Sequence, residues 1–147
     1  MQEWTQTKPY LDLHCELGEA PYYEQSSNTL RFVDIKARRL HTIDLSKGPN
    51  SLSTLQFDIP VGYTADIEGV DSSTKIIIGG KKGVYSLDRR TGDLELLKSF
   101  HDNLQDKEHA ERLRSNDGAI DPQGRLWFGT QTDFDFEPPK PEGMLVS

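Results

Sequence analysis

Apolar and polar positions alternate in short runs along almost the whole chain, and no run keeps a helical 3.6-residue period over several turns. Over residues 11–17, Leu11, Leu13, Cys15 and Leu17 face one way and Asp12, His14 and Glu16 the other, which predicts a half-buried strand. Gly18-Glu19-Ala20-Pro21 breaks it, and Tyr22-Tyr23-Glu24 predicts a second, short one. Residues 29–35 and 39–45 predict two more strands around a turn at Lys36-Ala37-Arg38. A Gly/Pro/Ser loop follows over 46–53. The plan then starts again, with strands predicted at 54–59, 65–70, 75–80 and 83–88, turns at 60–63, 71–73 and 89–92, and a new run from 93 to 100.

A charged run over 102–114 interrupts the pattern; a turn or two of surface helix and a solvated loop both fit it. The stretch 114–130 carries the strongest turn chemistry in the chain. Asn116-Asp117-Gly118 predicts one turn, because these residues tolerate positive φ and bond their own backbone. Asp121-Pro122-Gln123-Gly124 predicts a second, with Pro presetting φ and Gly closing it. Ala119-Ile120 is left as a short apolar piece, and 125–130 as a strand that places Trp127 and Phe128 in the core. A Pro-rich acidic loop over 133–142 leads into a strand beginning at 143.

The repetition is more informative than any single strand. Phe32, Ile77 and Trp127 mark the centres of three corresponding apolar strands, 45 and then 50 residues apart. A period of roughly 40–50 residues with four strands per unit is the signature of β-propeller blades. The expected class is therefore all-β, with about three antiparallel four-stranded blades; a sandwich or another antiparallel barrel is the alternative. Closed propellers use about four to eight blades. Three blades imply either part of a longer chain or units that associate to close a ring, since open strand edges invite self-association.

Composition narrows the partners. The chain of 147 residues has 24 acidic and 17 basic side chains, a net charge of −7. That balance argues against nucleic acid and against an anionic membrane, both of which want a basic face. It is compatible with a cation site. No apolar run approaches a transmembrane helix and no secretory leader is visible, so cytoplasm is the expected location. A single cysteine, Cys15, rules out an internal disulfide and is expected as a buried structural thiol. His14, His41, His101 and His109 show no zinc spacing and are expected to be structural or exposed. Arg114 and Asn116, two apart beside a turn, would share one face of an extended stretch.

Leu17-Gly18-Glu19-Ala20-Pro21, Arg114-Ser115-Asn116-Asp117-Gly118 and the run from Asp121 to Thr130 together resemble the SMP-30/gluconolactonase/luciferin-regenerating-enzyme family, in its order and at fitting distances. The resemblance implies that residues 1–147 correspond to the N-terminal half of a six-bladed propeller that hydrolyses lactones, usually of sugars. It implies one divalent cation in the central channel: calcium or zinc, with magnesium or manganese as further options. Glu19 matches the family's metal ligand, and Arg114 and Asn116 its substrate contacts. An acidic substrate contact follows a G-T-M segment in some members; here Gln131 replaces the Met, and Asp133 or Asp135 stands for the acid. The later ligands, including the base, would lie beyond Ser147. Such a cation polarises the lactone carbonyl and lowers the pKa of water, a carboxylate takes the proton, and the Arg and Asn orient the ring. The rival expectations are a non-catalytic propeller module that binds a cation or a protein, and an inactive truncated product.

Overall fold

A computed structural model describes residues 3, 5, 7–102 and 104–147, and of His101 its backbone alone. Within them the repeat becomes three antiparallel sheets. The first holds β1 (Gly18–Glu24), β2 (Thr29–Asp34), β3 (Arg39–Asp44) and β4 (Ser53–Gln56); the second holds β5 (Tyr63–Ala65), β6 (Lys75–Gly79), β7 (Gly83–Asp88) and β8 (Leu94–Ser99). The third holds β9 (Leu113–Ile120), β10 (Leu126–Thr132) and β11 (Leu145–Val146). In every sheet the strands lie side by side in chain order, which is how blades of a propeller are built. Phe32, Ile77 and Trp127 each fall in the second strand of a sheet, β2, β6 and β10. The 45- and 50-residue spacing therefore records the same strand in three blades.

The first strands of the blades face one another, with β5 in contact with both β1 and β9. Two apolar layers seal the blade–blade contacts. Val33, Ile35, Leu40, Phe57, Ile76 and Ile78 pack between the first two sheets, and Tyr63, Phe100, Leu113 and Phe128 between the second and third. The charged run contains one short helix, α1 (Lys107–Arg112), begun by the Asp106 carboxylate, which accepts from the His109 N–H at 3.1 Å.

Several local expectations change. Residues 11–17 keep their alternation of half-buried and exposed side chains but form no strand. Their backbone is held end-on instead: Asp34 accepts from the N–H groups of Glu16 and Leu17 at 2.9 and 3.0 Å. His14, at φ +48°, departs from extended geometry. Cys15 is half-buried rather than buried as a result. Gly18 to Pro21 is no break but the start of β1. Strand β5 covers 63–65, not 65–70, because Ile67 and Val70 close a turn with Gly69 at φ +73°. The first blade's last strand ends at Gln56 rather than 59. Asn116-Asp117-Gly118 is not a turn, since β9 runs straight through it. Trp127 is 37% exposed while its neighbour Phe128 is buried, since successive strand residues face opposite ways. Its indole N–H donates to Asp121 at 2.9 Å, and Arg125 lies over its ring.

Candidate functional site

Two strand irregularities bring the site together. On β1, Glu19 pairs with Val33 and Tyr22 with Arg31, so Ala20 and Pro21 share one partner position; Ala20 takes φ +49°. On β9, Ser115 pairs with Thr130 and Gly118 with Phe128, so Asn116 and Asp117 stand together against Gly129. The turn-forming residues of both motifs thus produce bulges inside first strands. Between them lies Gly62, where a Cβ would come within 2.7 Å of the Ser115 carbonyl oxygen and closer still to that of Asn116. Its missing side chain is what lets the third blade approach the second. Glu19, Ile35, Gly62, Asn116 and Asp117 line one cavity of about 80 Å³.

Glu19, Asn116 and Asp117 are exposed, so this cavity opens to solvent. Glu19 makes no side-chain hydrogen bond or ion pair among the described residues. Asp117 accepts from the Gly118 N–H at 2.8 Å. Glu19 and Asn116, 97 positions apart in the sequence, are thus brought to the same small space.

Arg114 sits behind them and is fully buried. Its Nη1 donates to the Ser115 carbonyl at 2.8 Å, its Nε stands 3.8 Å from Asp133, and its guanidinium lies 4.2 Å from the centre of the Phe134 ring. Burial lowers its pKa from the ordinary arginine value, against the opposing charge of Asp133. Asp133 is itself buried, ion-paired to Lys81. Asp133, Phe134 and exposed Asp135 line a second cavity of about 290 Å³ with Glu16, Ile35 and Lys36. Ile35 is common to both cavities, so the acidic loop flanks the Glu19 site. Glu142 pins the far end of that loop, accepting from Arg112 Nε at 3.1 Å and from Thr132 Oγ1 at 2.6 Å.

Gln131 is the residue that sequence reasoning noted only as a replacement. It is the direct ladder partner of Arg114, and its side-chain amide lies 2.9 Å from Asn116 Oδ1. The signal was its spacing from Trp127, which places it four residues further along the same strand, but its partner could not be read without the register.

His14, His41 and His109 take no part in this site, and the His101 side chain lies outside the described residues. His14 is exposed beside Asp12, His41 is buried against Thr54, and His109 Nε2 meets the Glu142 carbonyl at 3.0 Å. Among the described residues no three His, Cys, Asp or Glu side chains converge in a way that could hold a metal ion. None of the described helices is long and apolar enough to cross a membrane. A larger cavity, about 760 Å³, lies further along the first strands, between Tyr22, Asp66 and the turn at Asp121, and is lined by none of Glu19, Arg114 and Asn116.

Residues 17–147 match the family model described as SMP-30/Gluconolactonase/LRE-like region. The chain belongs to that family. It is 35% identical over 114 residues to the 6-deoxy-6-sulfogluconolactonase of Pseudomonas putida, covering 78% of this chain and 35% of that protein. It is 32% identical over 139 residues to the cell growth-regulated gene 1 protein of Candida albicans, covering 88% of this chain and 41% of the relative. The crystal structure of a calcium-binding protein, regucalcin, from Agrobacterium tumefaciens superposes with a TM-score of 0.70 at 28% identity, over 88% of this chain and 39% of that one. The chain thus spans about two fifths of the length of these relatives. The three sheets are accordingly propeller blades of the SMP-30 kind.

Proposed function

We infer that the protein hydrolyses a small, sugar-type lactone at one divalent cation, with residues 1–147 supplying one side of the site. On this reading the three blades belong to a ring of six, and the base and the remaining cation ligands lie outside these residues. The single observation that carries it is the meeting of Glu19 and Asn116 in one open cavity at the first strands. The names of the relatives, a sulfogluconolactonase and a calcium-binding regucalcin, support the reaction class and the cation.

The donor set fits a hard cation. The uncommitted carboxylate of Glu19 is an oxygen donor of the kind calcium and magnesium take, and zinc or manganese also accept carboxylate. Glu19 would hold the ion from this side. When bound, the cation supplies a Lewis acid for the lactone carbonyl and for water. The chain's own residues do the rest on this side: Asn116 orients a substrate oxygen, and Arg114, buried 0% exposed behind it, contributes positive potential where negative charge develops. Asp133, ion-paired to Lys81 and 3.8 Å from Arg114 Nε, steadies the guanidinium. A small-molecule substrate and a cytoplasmic location belong to the same reading.

The test uses the full gene product. Opening of a sugar lactone is followed by acid release in a pH-stat, with and without chelation, and for Glu19→Ala and Asn116→Ala. Chelation and Glu19→Ala are expected to lower kcat/KM at least a hundredfold, and Asn116→Ala roughly tenfold. Turnover that survives chelation and both substitutions sinks the reading and leaves a binding module.

A further inference from the structure

Asp117 and Gly118 form the single Asp-Gly pair in the sequence. They belong to the bulge of β9, where Asn116 and Asp117 stand together against Gly129. The Asp117 carboxylate turns back on its own chain, with Oδ1 accepting from the Gly118 N–H at 2.8 Å. Its Cγ is one carbon–oxygen bond from that oxygen, so it lies within about 4 Å of the Gly118 nitrogen. Gly118 carries no Cβ to shield that nitrogen. Asp117 is exposed and makes no ion pair among the described residues. Among those residues one other aspartate accepts from the N–H of the residue directly after it: Asp133 from Phe134, also at 2.8 Å. Asp133, however, is buried, ion-paired to Lys81 and followed by a bulky ring. Asp44, Asp71, Asp88 and Asp121 accept instead from the N–H two residues on.

We propose that Asp117 is a modification site, at which spontaneous isoaspartate formation lengthens the main chain of β9 and loosens its contact with the second blade. The Gly118 nitrogen attacks Cγ of the protonated Asp117 carboxyl. The new C–N bond forms, the C–OH bond breaks, and the hydroxyl leaves with the N–H proton as water. The product is a five-membered succinimide, and water then opens it at one of its two carbonyls. Opening at Cγ restores aspartate. Opening at the α-carbonyl leaves Cβ and Cγ in the main chain and the α-carboxylate as the side group. One water is lost and one regained, so the change is an isomerisation that needs no co-reactant. The strand has no slack for the extra carbon. A Cβ on Gly118 would come to 3.0 Å from the Tyr63 ring, and one on Gly62 to 2.7 Å from the Ser115 carbonyl oxygen. The added carbon falls between these two close approaches, so the strand yields at Asn116 and Asp117, which line the Glu19 cavity. The proposal does not rest on the lactonase reading.

The experiment ages the full gene product and Asp117→Glu in mildly acidic buffer at physiological temperature. The glutamate keeps the charge but would have to close a six-membered imide, a slower reaction. Isoaspartate is located by peptide mapping with electron-transfer fragmentation. It is counted by methyl transfer from labelled S-adenosylmethionine through an isoaspartyl carboxyl methyltransferase. Isoaspartate at position 117 is expected to build up about tenfold faster than at Asp133, and no slower than in a free peptide of residues 112–122. D117E should lose that methyl-accepting site. In calorimetry the aged wild type should gain a second, lower transition whose share follows the modified fraction, while aged D117E keeps one. Accumulation no faster than at Asp133 overturns the proposal. So does a rate about tenfold below that of the free peptide, because the sheet would then protect the pair. A modified fraction that melts with the unmodified protein overturns the loosened contact. Should D117E not fold, the wild-type peptide map and its calorimetry decide by the same criteria.

Discussion

Arg31 and Glu24 meet at 2.7 Å with side chains 0% and 2% exposed, an ion pair sealed between the first two blades. Neither stands alone. Arg31 Nη1 also reaches Asp66 at 2.8 Å and Nε donates to Thr64 Oγ1 at 2.8 Å, both beyond the blade boundary. Arg89 donates to the same Glu24 oxygen at 2.6 Å and to the Ser72 carbonyl at 2.7 Å. Tyr22 covers the Arg31 guanidinium and bonds Asp66 through its hydroxyl at 2.9 Å. Removing one member of such a group leaves a buried charge without its counterpart. Glu24→Ala is expected to lower stability by about 3–5 kcal/mol, read as a drop in the urea midpoint at unchanged slope. A loss below about 1 kcal/mol would show that the buried cations find water instead.

The same residue sets a pH dependence. Burial pushes the Glu24 carboxyl up, but hydrogen bonds from Arg89 and Thr29 and the two positive charges outweigh it, so its pKa ends below the ordinary value. A carboxyl lowered on folding adds stability above its unfolded pKa, about 4.3, and that stability is lost as pH falls through the folded value. Thermal midpoints taken from pH 6 down to about 3 should therefore fall more steeply for wild type than for Glu24→Gln. Parallel curves would remove Glu24 from the account.

Gly62 is one of the points at which the second blade and β9 touch. Gly62→Ala places a methyl group within 2.7 Å of the Ser115 carbonyl oxygen, a backbone atom that cannot swing aside. Overpacking of this kind costs about 1–3 kcal/mol, and here it displaces Asn116 as well. Calorimetry gives the stability loss, and on the lactonase reading KM for the sugar lactone rises with it. A variant with wild-type stability contradicts the close approach.

Tyr63 is buried between the second and third blades with its ring against Phe128 at 5.8 Å, and its hydroxyl has no partner among the described residues. Burial raises the pKa of that hydroxyl above the tyrosine range. An unpaired hydroxyl in an apolar layer costs about 1–3 kcal/mol, so Tyr63→Phe is expected to be neutral or to stabilise by up to about 1 kcal/mol. A loss of stability would mean that a water or a further residue satisfies the hydroxyl.

Asp34 holds the segment that leads into Glu19. Its carboxylate accepts from Glu16, Leu17 and Ala37 N–H groups at 2.9, 3.0 and 3.2 Å. Burial raises its pKa, but these backbone donors outweigh burial and leave it below the ordinary value. Asp34→Ala should cost about 2 kcal/mol and speed hydrogen exchange at Glu16 and Leu17 while leaving amides in β7 protected. Uniform exchange across the chain would point to global unfolding in its place.

Much of the fold was legible because blade spacing is a one-dimensional property. Phe32, Ile77 and Trp127 mark second strands at a period typical of propeller blades. The two motifs, around Glu19 and around Asn116, were legible for the same reason, each being contiguous in the chain. The misplaced turns share one cause. Gly, Asn and Pro raise local turn propensity wherever they stand, and a bulge in a strand asks for the same residues as a turn. Gly18-Glu19-Ala20-Pro21 and Asn116-Asp117-Gly118 therefore look like breaks until their partners Val33 and Thr130 are in place.

By itself the sequence determined the class of fold, the repeat, the family and the pair of motifs, since all of these rest on residue types at fixed separations along one strand or turn. Only the tertiary structure decided which side chains face which. It buried Arg114 beneath Gln131 and Phe134, turned Asp133 inward to Lys81, left Trp127 half outside, and brought Glu19 to Asn116 across Gly62. These outcomes depend on strand register and on the distance between blades. Both are set by long-range packing of residues that no local pattern connects.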